Sequence, residues 1–319
     1  MEVGRSPKDR RRYRRRRGFR SARRGVVAVV GTLLSLLVFF ALFGIFITQY
    51  VPVWMADNES AFTSGMQQSL AQLQSNINFQ ETVGGPPSLA TPFTLSSLGI
   101  PLIAQPTAAS LAYVPHYQGT YVNVSEQIGP GGAAGFSENL SLGVLQVSLP
   151  NRYFPPQSFE YEDGAVIESQ GDTSQGMLYP PLLTLNTSGH QNYGTLGLLQ
   201  LYGNATQVVS PGTVEVYSHL GTVLDFPSNG SAESPVYRPA GTPFAVTIRI
   251  GTLFPCAWAT YLNQTLAASG LAPGNYSLTP HLCTPSGGTS TLIVLSLPEM
   301  TSFNLLLASF TLQIGVGQS

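Results

Sequence analysis

The stretch Arg17-Gly18-Phe19-Arg20-Ser21-Ala22-Arg23-Arg24-Gly25 runs directly into VVAVVGTLLSLLVFFALFGIFITQY, residues 26–50. The second block carries no charge. As a helix it reaches roughly 37 Å, enough for a ~30 Å hydrocarbon core with some tilt. Inside lipid every backbone polar group needs an internal partner, so a single segment crosses as a helix. A secretory signal has an apolar core of only ~7–15 residues, and this run exceeds it.

Charge orients the span. Twelve of the fifteen basic residues lie between Arg5 and Arg24. Asp57 and Glu59 stand on the other side. Positive charge stays in the cytoplasm, which places residues 1–25 inside and everything after the span outside. The Arg-rich block also suits anionic lipid head groups. A nucleic-acid-binding arm is the rival reading, but such arms serve soluble domains and this one abuts a span. From Gly25 onward there are 14 acidic residues and three basic ones, Arg152, Arg238 and Arg249, a formal charge of −11. Nucleic acid is therefore excluded as a partner of the outer part.

The outer part is poor in charge of either sign. Eight N-x-[Ser/Thr] sequons occur there, at Asn58, Asn123, Asn139, Asn186, Asn204, Asn229, Asn263 and Asn275. All but Asn263 are taken as glycosylation sites of an exterior domain. The two cysteines, Cys256 and Cys283, read as a disulfide outside the cell. The chain has four histidines, and none forms H-x-H or H-E-x-x-H.

Phe62, Met66, Leu70, Leu73 and Ile77 recur at steps of four, four, three and four. The spacing predicts an amphipathic helix over about residues 56–79, packed on the chain's own domain or on a neighbour. Residues 84–92, GGPPSLATP, read as a linker. Beyond it the period becomes two. Phe244, Val246, Ile248 and Ile250 alternate with polar or small residues, as do Phe303, Leu305 and Leu307, and then Phe310, Leu312 and Ile314. Further strands are expected at 144–149, 165–168, 182–185, 196–202, 221–226 and 291–297. Trp258, Tyr261, Leu262 and Leu266 lie at helical spacing, with Gly270 as the stop. The expected class is α+β: a long N-terminal transmembrane and amphipathic helix, then a mainly antiparallel β-sandwich. The expected domains are a basic leader (1–25), a transmembrane helix (26–50), a helical stalk (51–83) and a β-sandwich (84–319).

The junction Arg23-Arg24-Gly25-Val26-Val27-Ala28-Val29-Val30-Gly31 resembles the N-terminus of archaeal type IV pilin-like proteins. Tyr50-Val51-Pro52-Val53-Trp54, and the stretch from Asn151-Arg152-Tyr153-Phe154-Pro155 to Gly171, resemble parts of the same group. The resemblance implies a membrane-anchored cell-surface protein. It also implies processing by a prepilin-type peptidase between Gly25 and Val26, and packing with like subunits through the N-terminal helix.

Chemistry is sparse. Glu160, Glu162, Asp163 and Glu168 form the densest acidic cluster. Paired carboxylates can hydrolyse glycosides, and clustered oxygens can hold Ca²⁺. Asp163-Gly164 is instead a strong hairpin turn. Gly129–Gly135 lacks the Lys-Ser/Thr of a phosphate loop. No catalytic, cofactor or metal residue is therefore expected. The reading is a non-enzymatic surface protein for structure or presentation. Its alternatives are a sugar- or peptide-binding module, with Tyr113, Tyr117 and Tyr121 as a stacking platform, and a surface hydrolase built on the acidic hairpin.

Overall fold

A computed structural model describes residues 27–85, 87–101, 103–115, 117, 120–128, 134–141, 143–171, 174–189, 191–227, 243–279 and 291–316. Helix α1 spans Val27–Val83. A π-helical turn occupies Phe46–Tyr50, and within it the Thr48 hydroxyl donates to the Gly44 carbonyl at 2.8 Å. The chain divides into two compact units, Met1–Met55 and Ala56–Ser319.

In the first unit the helix is long and apolar enough to cross a membrane, and none of its apolar window is buried in the protein. Leu37, Phe39 and Leu42 are exposed, and Phe39 stacks on Phe43 at 5.9 Å. In water this surface would be a liability. In a hydrocarbon core it is the required one, so the segment reads as a single-pass anchor.

The second unit is mostly strand. Its strands are β1 (Leu89–Thr94), β2 (Ser110–Val114), β3 (Tyr121–Ile128), β4 (Ala134–Ser141), β5 (Val144–Leu149), β6 (Gln157–Glu162), β7 (Ala165–Gln170) and β8 (Ser174–Tyr179). There follow β9 (Leu183–Ser188), β10 (Gln191–Tyr202), β11 (Thr206–Val209), β12 (Thr213–Pro227) and β13 (Phe244–Thr252). After helix α2 (Pro255–Ala268) come β14 (Ser277–Thr279), β15 (Thr291–Met300) and β16 (Ser302–Val316). They form three sheets, ordered β1-β12-β16-β10-β9, β11-β2-β5-β6-β7-β8 and β14-β15-β13-β3-β4. β10 and β16 run parallel. The other described pairings are antiparallel. The class is α+β, as the sequence indicates, with three sheets sharing the strands.

Two hydrophobic cores hold the unit together. In one, Phe62, Met66, Leu70, Leu73 and Ile77 of α1 pack with Phe93, Leu111, Val147, Phe159, Val216 and Phe310. The helical stripe thus has its partners within the chain. Residues from Ala56 onward belong with the strands rather than standing apart as a stalk. In the other core, Trp258, Leu262 and Leu266 of α2 pack with Val122, Ile167, Leu198, Ile248, Leu295 and Leu305.

β10 and β16 serve both cores. Leu196 and Leu198 face the α2 core, while Leu199 and Leu201 face the α1 core. On β16, Phe303, Leu305 and Leu307 face the α2 core and Ala308, Phe310 and Leu312 the other. The change of parity falls at one paired step, because Leu198 lies opposite Leu307 and Leu199 opposite Ala308. Successive strand side chains alternate between faces, so the same two strands wall one core from each side of the sheet.

The linker expected at 84–92 is partly strand. Pro92 sits in β1, which is an edge strand with β12 as its one neighbour. An edge strand tolerates the missing N–H of proline, so the turn-rich composition did not prevent pairing.

If the stripe on α1 is core, Leu70→Ala should lower the stability of the β-domain by roughly 2–5 kcal/mol. A thermal melt of the full chain in detergent, followed by its β-sheet circular dichroism, checks this. An unchanged melt would mean that the helix stands outside the cooperative unit.

Candidate functional site

Glu59 lies on the apolar face of α1, three residues before Phe62. It is fully buried. Its Oε1 accepts from the Thr107 hydroxyl at 2.6 Å and from Arg152 N at 3.1 Å. Its Oε2 accepts from Arg152 N at 3.0 Å, Tyr153 N at 2.7 Å and Phe154 N at 2.8 Å. Three consecutive backbone N–H groups form an anion nest, and a helix side chain supplies the anion. Burial alone would raise the Glu59 pKa. The Thr107 hydroxyl and the three N–H groups outweigh it and hold the carboxyl below its ordinary value.

Neighbouring groups extend the clamp. Asn151 Nδ2 donates to Thr63 Oγ1 at 3.3 Å and to the Pro155 carbonyl at 3.2 Å. Asn58 Nδ2 donates to the Leu98 carbonyl at 3.1 Å. Further along the helix, Gln74 Nε2 donates to the Gly164 carbonyl at 2.9 Å, and Gln80 Nε2 to the Ser218 carbonyl at 2.9 Å. Polar side chains on α1 thus position the loops that a purely apolar stripe would leave free to slide.

The acidic cluster forms the hairpin its turn predicts. β6 and β7 pair Glu162 with Ala165, and Asp163 and Gly164 take left-handed conformations with φ of 48° and 76°. Its carboxyl groups are enclosed. Glu162 Oε1 accepts from the Thr252 hydroxyl and the Trp258 indole N–H, both at 2.6 Å. Glu160 Oε1 accepts from Gln146 Nε2 at 3.0 Å, and Asp163 Oδ1 from Leu199 N at 3.2 Å. Glu160 Oε2, Glu162 Oε2 and the Tyr161 hydroxyl are buried without a hydrogen-bond partner. Burial pushes Glu160 up to about 8, with the nearby Glu162 adding to the rise. Burial likewise raises Glu162 and Asp163. Burial biases all three toward the protonated form, and Glu162 ties β6 to β13 and α2 through Thr252 and Trp258.

The remaining residues singled out in the sequence scatter. Tyr113 is buried and donates to the Leu201 carbonyl at 2.8 Å, so it presents no open ring face. Tyr117 and Tyr121 are half-buried. Asn186, Asn204 and Asn263 are exposed, while Asn58, Asn123 and Asn275 are partly so. The side chain of Asn139, together with Asn229, Cys283, Gly25 and Val26, lies outside the described residues. Cys256 opens α2 and carries no free thiol. No group of three or more metal-ligating side chains occurs among the described residues.

The Glu59 clamp escaped the sequence reading, which used Glu59 only as a charge flanking the span. One signal pointed to it: a carboxylate in phase with an apolar stripe must find buried donors. No protein-family model, curated protein or solved structure matches this chain.

Glu59→Gln keeps the shape but loses the charge and turns an amide N–H₂ toward three N–H donors. It should destabilise the outer unit by roughly 2–4 kcal/mol in denaturant titration.

The titrations give a second expectation. Glu160 titrates at about 8 in the folded chain against 4.5 as an ordinary carboxyl. The folded state therefore holds the extra proton, and stability falls as pH rises across that window. Glu162 and Asp163 act in the same direction. Glu59 acts oppositely: its contribution is present above its ordinary 4.5 and is lost as pH falls through its lower folded value. The melting temperature should peak under mildly acidic conditions and decline toward pH ~8, and Glu160→Gln should flatten that decline. A melting temperature that rises over this range would contradict the assignment.

Proposed function

We propose that this chain is a single-pass, non-enzymatic cell-surface protein of pilin-like build, which anchors and presents a glycosylated outer domain of β-sandwich type. The observation that carries the reading is α1. Its first part is charge-free and fully exposed, and the Arg-rich collar Arg5–Arg24 precedes it. On the positive-inside rule the N-terminus is cytoplasmic and residues 51–319 are outside.

The junction at Gly25 and Val26 supports processing by a prepilin-type peptidase. The exposed apolar helix supports packing with lipid and with like subunits. Exposed Asn186 and Asn204 support glycosylation. The absence of a free thiol at Cys256 supports a bridge to Cys283, the chain's other cysteine. The enclosed hairpin carboxyls support a structural role over hydrolysis, since a glycosidase needs its two carboxyls open to substrate.

Mass spectrometry of the mature protein and protease treatment of intact cells test the reading. The expected first residue is Val26, and external protease should digest the outer domain. An intact Arg-rich leader would remove the prepilin part. An outer domain untouched by external protease would reverse the orientation and end the surface role.

A further inference from the structure

Three loops of the outer unit meet at one end. The pairings Val209↔Ser110, Ser110↔Ser148 and Ser148↔Ser158 align the ends of β11, β2, β5 and β6. That alignment brings together the segments 95–109, 149–157 and 209–213. Leu95 N donates to the Gly212 carbonyl at 3.0 Å, and Ala109 N to the Leu95 carbonyl at 2.8 Å, which closes the group.

The composition of this end differs from the rest of the unit. Within the three segments the one charged residue is Arg152, although the chain from Gly25 onward has 14 acids and three bases. The tips carry large apolar side chains in the open: Leu98 is 75% exposed, Val209 64%, Tyr153 43% and Ile103 40%. Pro101, Pro155, Pro156 and Pro211 stiffen the same turns. An apolar, acid-free surface rimmed by one cation matches a bilayer interface, where aliphatic and tyrosine side chains sit at head-group depth and arginine meets phosphate.

The tether points to the same occupant. Asn58 holds Leu98, and Glu59 holds Arg152, Tyr153 and Phe154. Both residues follow Trp54 within five positions. Trp54 is exposed, on the apolar run's outer flank, where aromatic side chains mark the membrane–water boundary. The residues that hold these loops thus follow Trp54 by only four and five positions of chain.

We infer that this end is a second membrane contact, in which the tips at Leu98, Ile103, Tyr153 and Val209 enter the outer leaflet of the bilayer that α1 crosses. The inference rests on the anchored reading above. The Glu59 clamp ties two of the three loops to α1, through Thr107 and through Arg152, Tyr153 and Phe154.

The full chain in nanodiscs, one copy per disc, tests the inference. Phosphatidylcholine brominated on its acyl chains quenches only tryptophan that reaches the leaflet. Wild-type protein reports on the anchor through Trp54. In a Trp54→Phe background, where buried Trp258 is the remaining native fluorophore, Leu98→Trp and Ile103→Trp report on the loops. Leu224→Trp serves as the remote exposed control, since β12 carries Leu224 past Ser218, the residue held by the far part of α1. Loss of most of the added emission at 98 and 103, with none at 224, is the expected result. Quenching of wild-type Trp54 with none at 98 and 103 overturns the second contact and leaves the anchor standing. An unquenched wild-type Trp54 overturns both. Equal quenching at 224 overturns the assignment of this particular end. Shielding of 98 and 103 that appears only with two or more copies per disc, and without bromine, makes the end a chain–chain contact instead.

Discussion

One helix face decides how the outer unit is organised. Phe62, Met66, Leu70, Leu73 and Ile77 share one core with residues of the sheet carrying β12 and β16 and of the sheet carrying β5 and β6. At ~1.5–3 kcal/mol for each fully buried side chain, the stripe contributes on the order of 10 kcal/mol. Without it, the buried apolar residues of both sheets that pack with the stripe would lose those partners and meet water. The helix keeps Ser64, Gln68, Gln72 and Ser75 exposed on its other face, so one face alone serves this core.

A smooth apolar stripe fixes a helix in a groove but leaves its axial position soft. Glu59, Gln74 and Gln80 remove that freedom, because each engages a backbone group from a different part of the outer unit. The Glu59 carboxylate is the most demanding of them. A one-turn slip of about 5.4 Å would strand an ionised group in the core and leave three N–H donors without a partner. Specific register is thus purchased with buried charge, while the stripe supplies most of the stability.

Much of this was legible in the residues. The apolar run, the stripe at 62–77, the Asp163-Gly164 turn and the strand at 144–149 follow from period and turn chemistry. Even the sharing of β16 between cores left a trace, in the odd-numbered run Phe303, Leu305, Leu307 and the even-numbered run Phe310, Leu312, Ile314. What the pattern could not convey was long-range. The switch of parity gains meaning only when Leu307 is found opposite Leu198 on a parallel neighbour. β1 was hidden because its proline-rich composition imitates a linker, and only the pairing with β12 shows that its N–H groups are not all needed. The Glu59 clamp was hidden because its donors are backbone N–H groups 93 to 95 residues away, which no side-chain motif records.

Formal charge also misstates what the outer unit presents to its surroundings. The count of −11 treats every carboxyl as ionised and solvent-facing. Glu59 is ionised but enclosed, its charge spread over three N–H groups and a hydroxyl. Glu160, Glu162 and Asp163 are buried and biased toward the protonated form. The field felt outside is consequently weaker than the sequence implies, and weakest where the loops carry no acid and Arg152 is exposed. An anionic membrane repels a uniformly acidic domain, but it has little to repel at that end. Burial of acids in the interior and their exclusion from one set of loops therefore act together. They leave that end of the outer unit with less negative charge than its sequence count implies.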